Sequence, residues 1–360
     1  MEGSTDRRQY MEDQLKYLKF RNHRVTAVTP TSPTYNISRL QKPCNRNTEK
    51  DISSILSHLT AIHKAIYSEE STSDGVSCDV VKRKKSKRRS ESKRSVQPLK
   101  MSDYALIIED DVQFVYQLNF SALISSAPEN FGILQLSTSN EEALQLLWST
   151  FKEKSTVQKS AYNGLDNLEK QNFLHYYDKN LTARERLWTR NLWTSQTKDG
   201  RTSLFWSAQA YLINKRVIKP FIDDVVERHH DGSLSFKIIN SFDPLICKRT
   251  KRFPCILANC LFSDTYIYAG GGPTYVTNIP LFTGAPVGLK SDLHQNQVGV
   301  HKKGFERMDS LIGKVRHGYN AMEFAERERL ISPIPIEHSF SDALIVPSFI
   351  MNPRTCDPRI

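Results

Sequence analysis

Residues 104–112 read Tyr-Ala-Leu-Ile-Ile-Glu-Asp-Asp-Val, an unbroken apolar run that ends in three consecutive carboxylates. A run without polar alternation suits a strand covered on both faces, as in the parallel sheets of α/β proteins. In such sheets ligands bind just beyond the carboxyl ends of the strands, and this strand carries Glu109, Asp110 and Asp111 at that end. Adjacent acids repel one another, so they are costly to hold together unless a cation sits among them. Hard divalent ions such as Mg²⁺ or Mn²⁺ take oxygen ligands and bridge to substrate phosphates. Two readings therefore stand side by side: a metal–phosphate site, and a solvated acidic turn that closes a strand.

The distribution of positive charge narrows the function class. A formal charge of +11 over 360 residues would suit a polyanion-binding face if it were spread out. Instead, residues 71–100 hold ten Lys and Arg against three acids and account for +7 of the +11. That segment has almost no apolar content, so it predicts a disordered, solvated insert between a helix and the acidic strand. The alternative is a nuclear-localisation or nucleic-acid patch through Lys82–Arg94, against which stands the lack of interleaved aromatics for base stacking.

At this length, with 39% hydrophobic residues, the chain can bury a core in one large or two modest domains. No window is long and apolar enough to span a bilayer, and the N-terminal residues do not resemble a secretory signal, so a soluble chain is expected. The six cysteines (Cys44, Cys78, Cys247, Cys255, Cys260, Cys356) form no CxxC pair, which argues against zinc. Cys255 and Cys260 either pair, with each other or with Cys247, or remain free thiols. Asn36, Asn119 and Asn180 begin tripeptides of the N-glycosylation acceptor pattern.

Along the chain, Met11, Leu15 and Leu18 predict a helix, and Arg24–Val28 a short strand, so the strand that should precede them in a βαβ unit is missing. Ile55, Leu59, Ile62 and Ile66 form the stripe of a helix over 53–67. His58 and His63 lie off that stripe and read as capping or partly exposed histidines. Further strands are expected over 131–136, 203–213 and 274–280. One helix is expected to carry Leu144, Leu146, Leu147 and Phe151. Another, with Val217, Phe221, Ile222 and Val225, is expected to start at Asn214 as N-cap. The stretch 152–200 is polar and aromatic-rich without clear period and is expected to include an excursion from the core. Strands and helices alternate, which argues α/β.

Several of these pieces fall in the order of a known family. Asp6-Arg-Arg8 with Met11 and Gln14-Leu15, Arg24-Val-Thr-Ala-Val28 and Ser57-His58-Leu-Thr-Ala61 come first. Ala105-Leu-Ile-Ile-Glu-Asp-Asp-Val112, Pro128 to Leu136 and Ala210-Tyr-Leu-Ile213 follow, and Ser263-Asp264 through Tyr275-Val-Thr-Asn-Ile-Pro280 comes last. In this order over roughly residues 5–300 the chain resembles glycosyltransferase family 25, the lipopolysaccharide and collagen galactosyltransferase-like group. The resemblance implies a GT-A-like, Rossmann-type nucleotide-sugar-binding α/β fold with a mostly parallel central sheet. It implies transfer of a hexose, galactose among the candidates, from a nucleotide-sugar donor, UDP-linked by the same resemblance, to a glycan or protein hydroxyl, assisted by Mn²⁺ or Mg²⁺. A catalytically inactive binding or scaffold protein of the same fold is the alternative.

By resemblance, Asp111 is the first metal ligand and Glu109 the leading acid near the ribose or metal, with Asp110 between them. Asp264, then Asp243, are the candidate bases. His294 and His301 are candidates to close the site on the metal or diphosphate, and His58 is a candidate for the donor pocket. The family's secretory location applies if an anchor precedes this chain, and a cytoplasmic one otherwise. The chain divides into an N-terminal α/β part at 1–70 lacking its first strand, the basic insert at 71–100, the rest of the catalytic domain at 101–305, and an extension at 306–360.

Overall fold

The computed structural model describes residues 5–17, 22–29, 31–32, 49–67, 101–116, 118–152, 187–191, 205, 207–237, 263–285, 306–315, 317 and 343–346. In chain order the elements are α1 (Thr5–Tyr17), β1 (Asn22–Arg24), α2 (Glu49–Tyr67), β2 (Tyr104–Glu109), β3 (Val112–Phe114), α3 (Phe120–Ser126), β4 (Ile133–Gln135) and α4 (Glu141–Lys152). They continue with β5 (Trp188–Asn191), β6 (Ala210–Asn214), α5 (Lys215–Val225), β7 (Val226–Arg228), β8 (Leu234–Phe236), α6 (Ser263–Gly270), β9 (Thr274–Thr277), β10 (Phe282–Gly284) and β11 (Ala343–Val346). Residues 306–315 are also helical. The basic insert and all six cysteines lie outside the described residues.

The apolar run of β2 explains the layering. Side chains alternate across a strand, so Ala105 and Ile107 join one core with α2, α5 and α6, while Leu106 and Ile108 join a second with α1, α3 and α4. All four are 0% exposed, and burying each large aliphatic contributes about 1.5–3 kcal/mol. Both faces of the strand are covered by helices, which is why the sequence shows no polar alternation there.

Seven strands make the main sheet, in the order β1-β11-β2-β6-β4-β9-β5, and two small antiparallel pairs, β3–β10 and β7–β8, stand beside it. The β1–β11, β11–β2 and β4–β9 pairings are parallel, whereas β2–β6, β6–β4 and β9–β5 are antiparallel. The class is mixed α/β. The expected mostly parallel sheet gives way to an even mixture because β6 runs against both of its neighbours.

β11 occupies an unexpected place. It lies between β1 and β2, parallel to both, with Leu344 opposite His23 and Ile107, and Val346 opposite Glu109. β11 comes from the stretch at 306–360 that was read as an extension, so part of that stretch belongs to the main sheet. Because Val346 is in register with Glu109, the chain leaves β11 at the same end of the sheet as the three acids. α1 packs on one face of this region and α2 on the other.

Three local expectations change. The paired strand is Asn22–Arg24, so only Arg24 of the expected strand at 24–28 joins the sheet, and the Val28 N–H donates to Ser57 Oγ at 2.9 Å instead of to a strand. His58 and His63 are buried, at 1% and 9% exposure, because α2 is enclosed by the sheet, α5 and α6 and buries far more than one stripe. Asn214 does precede α5, but it makes no side-chain capping bond. Asn119 does cap, its Oδ1 accepting from the Ala122 N–H at 3.0 Å.

Candidate functional site

Glu109 is the last residue of β2, and Asp110 and Asp111 form the turn into β3. The three side chains take different environments. Asp110 is 1% exposed, and its Oδ1 accepts from Nη1 of Arg7, itself 4% exposed, at 3.5 Å. The same Nη1 lies 3.9 Å from Asp111 Oδ2. The cation that adjacent acids call for is therefore supplied, in part, by the protein itself, from the first turn of α1. Gln14 fixes α1 against this turn: its Nε2 donates to the Val112 carbonyl at 3.0 Å and its Oε1 accepts from the Phe114 N–H at 3.2 Å. On the far side, the Ala285 N–H donates to the Asp111 carbonyl at 2.6 Å, tying the end of the β10 segment over the acids.

Glu109 turns to the other face. Its Oε1 lies 3.3 Å from His58 Nε2, and His58 Nδ1 lies 2.9 Å from the Tyr211 hydroxyl. The Tyr268 ring meets Tyr211 edge-on, and the Tyr268 hydroxyl donates to the Ser207 carbonyl at 2.6 Å. Burial pushes both tyrosine hydroxyls well above their ordinary value, reinforced at Tyr211 by Glu109 and at Tyr268 by Tyr211, Asp264 and Glu109. Asp264 sits half-buried in the first turn of α6, where an acid also suits the helix dipole. The structure thus brings Glu109 and His58 to one buried tyrosine pair, and Asp264 adds to the raised pKa of Tyr268.

Asp243, His294 and His301 lie outside the described residues. Among the described residues no group of three His, Cys, Asp or Glu side chains is placed to hold a metal ion. Glu109 and Asp111 are the right kind of donor for a hard cation, but with Asp110 turned to Arg7 they do not make a complete set. Sequence reasoning missed Arg7, Tyr211 and Tyr268. All three stood inside matched motifs, and a buried arginine is the ordinary answer to buried carboxylates.

No protein-family model, no characterised protein and no solved structure matches the chain. The glycosyltransferase resemblance rests on the ordered motifs alone.

Proposed function

We propose that this protein binds a nucleotide sugar at the carboxyl end of β2 and transfers the sugar to a hydroxyl acceptor. The observation that carries this reading is the placement of Glu109, Asp110 and Asp111 at the end of a strand buried on both faces, where α/β sheets take their ligands. In the transfer, the acceptor oxygen attacks the anomeric carbon and the bond from that carbon to the diphosphate oxygen breaks. The electron pair leaves with the nucleoside diphosphate, and the hydroxyl proton passes to a carboxylate within reach. Asp264 is the described residue assigned that role. A divalent cation, when bound, would neutralise charge on the departing diphosphate. Glu109 and Asp111 are its candidate ligands here, and the metal requirement is a separable part of the proposal.

The test is thermal unfolding with UDP-galactose and UDP-glucose, with and without Mn²⁺, followed by UDP release in the presence of glycan and peptide acceptors. A nucleotide sugar raises Tm, Mn²⁺ adds to the rise, and Asp111→Ala abolishes it. Asp264→Asn keeps the donor shift and loses turnover. No shift with any nucleotide sugar sinks the reading, while a shift indifferent to Mn²⁺ removes only the metal. One observation favours a second reading, a protein of this fold that binds without turnover: Arg7 already compensates Asp110. Donor binding without UDP release, under every acceptor tried, would select it.

A further inference from the structure

We infer that His58 and Tyr211 are positioning residues that set the Glu109 carboxylate toward the ligand. The inference rests on the proposed function for what the ligand is, but its geometry stands alone.

A neutral imidazole carries one N–H, an ionised carboxylate only accepts, and a phenol can do either. His58 stands between Tyr211 on Nδ1, at 2.9 Å, and Glu109 on Nε2, at 3.3 Å. If Nδ1 carried the proton, the Nε2 lone pair would face the carboxylate oxygen. With the proton on Nε2 both contacts become hydrogen bonds: the Tyr211 O–H donates to Nδ1, and Nε2–H donates to Glu109 Oε1. The phenol keeps its proton, since burial raises its pKa well above the ordinary value. For the neutral ring, one arrangement therefore satisfies both contacts and selects the tautomer, as second-layer partners of functional histidines do.

The column is also rigid. His58 and Tyr211 are 1% and 0% exposed, and Tyr211 is wedged edge-on by Tyr268, whose own hydroxyl is anchored on the Ser207 carbonyl. His58 rides on α2 and Tyr211 on β6, the strand next to β2. Only the Glu109 end reaches solvent, with 19% of its side chain exposed against 1% for His58. Asp110 is turned into the fold by Arg7, so Glu109 is the acid whose direction this buried column controls. A side chain held by one oxygen at the lip of the sheet, with its rotamer fixed from behind, binds without the entropy loss of freezing a free carboxylate.

The experiment has two arms on the full chain. In the first, ¹⁵N NMR of labelled histidine at neutral pH reports the His58 tautomer. The expected result is an Nε2–H ring in the wild type that loses its single-tautomer signature in Tyr211→Phe. An Nδ1–H ring, or an Nε2–H ring indifferent to Tyr211→Phe, overturns the relay. The second arm measures the Kd of UDP by calorimetry. Loss of a hydrogen bond to a charged group corresponds to roughly tenfold or more in affinity, so His58→Leu and Glu109→Gln each weaken binding by about that factor. Their double variant is no worse than either alone. His58→Gln, whose amide can still donate to Glu109, stays within about threefold of wild type. Unchanged affinity in His58→Leu, or losses that multiply in the double variant, overturns the inference and leaves the proposed function standing. A wild type that binds no nucleotide sinks that function and the ligand half of the inference together, whereas the NMR arm still decides the relay. Tyr211→Phe removes one oxygen without changing ring volume, so the test survives if His58→Leu fails to fold.

Discussion

Arg7 on α1 and Asp110 at the end of β2, separated by 103 positions in sequence, meet at 3.5 Å with side chains 5% and 2% exposed. This buried ion pair fastens the N-terminal helix to the acidic turn. Removing one partner of such a pair leaves an uncompensated charge and costs about 3–5 kcal/mol, whereas replacing both is far milder. Arg7→Met is expected to destabilise by that amount in urea unfolding, and Arg7→Met with Asp110→Asn by clearly less than the sum of the single changes. Strictly additive losses would show that the two residues are not coupled.

Gly132 makes a sharper steric prediction. A Cβ there would run into the backbone carbonyl of Gly271, next to the point where the Gly132 N–H donates to the Pro273 carbonyl and its own carbonyl accepts from Asn214. Backbone cannot swing aside as a side chain can, so Gly132→Ala is expected to cost at least about 2 kcal/mol. Gly313, in the helical stretch 306–315, has open space at its Cβ position. Gly313→Ala should therefore leave stability unchanged or raise it by up to about 1 kcal/mol. Equal effects at the two sites, measured by chemical denaturation, would refute the clash.

How much of this was legible in the sequence depended on how local the cause was. The burial of β2 on both faces and the acids at its carboxyl end were readable, because five apolar residues without alternation have few other uses. The stripe of α2 was also readable, but the burial of His58 and His63 was not. A helix enclosed on several sides buries residues that periodicity assigns to solvent, and only the tertiary arrangement of α5 and α6 shows the enclosure. The place of β11 was wholly hidden, since Ala343-Leu-Ile-Val346 is a short apolar run whose partners are set by strand order, which no local pattern encodes. In the candidate site, the acids and Asp264 came from motif order. Arg7, Tyr211 and Tyr268 entered only once distances were known.

His63 gives the chain a predictable response to acid. Its pKa is lowered from 6.5 to about 4, first by burial and then by Arg228 and Lys219, with Asp223 opposing. The unfolded chain takes up this proton near pH 6.5 and the folded chain only near pH 4, so between those values the unfolded state holds more protons and stability falls as pH falls. At about 1.4 kcal/mol per unit, the loss reaches at most about 3.5 kcal/mol. His63→Gln should flatten the stability–pH curve between pH 6.5 and 4 relative to wild type. Parallel curves would mean that the folded protein admits the charged ring.

The position of β11 predicts how the sheet fails. Leu344 lies opposite both His23 and Ile107, so β11 is a central strand between two parallel neighbours. Proline there removes a ladder N–H and is hardly tolerated away from a sheet edge. Leu344→Pro is expected to cost about 3 kcal/mol or more, and truncation after residue 342 to open unpaired edges on β1 and β2 that favour association between copies. The readout closest to the site is hydrogen exchange at Ala105–Ile108. Those amides should lose protection in both variants, because β2 keeps only its β6 neighbour once β11 is gone. Any nucleotide-dependent rise in Tm should vanish with that protection, since Val346 and Glu109 end side by side at the same lip of the sheet. Full protection of β2 in the truncated chain would show that β11 is dispensable to the strand bearing the acids.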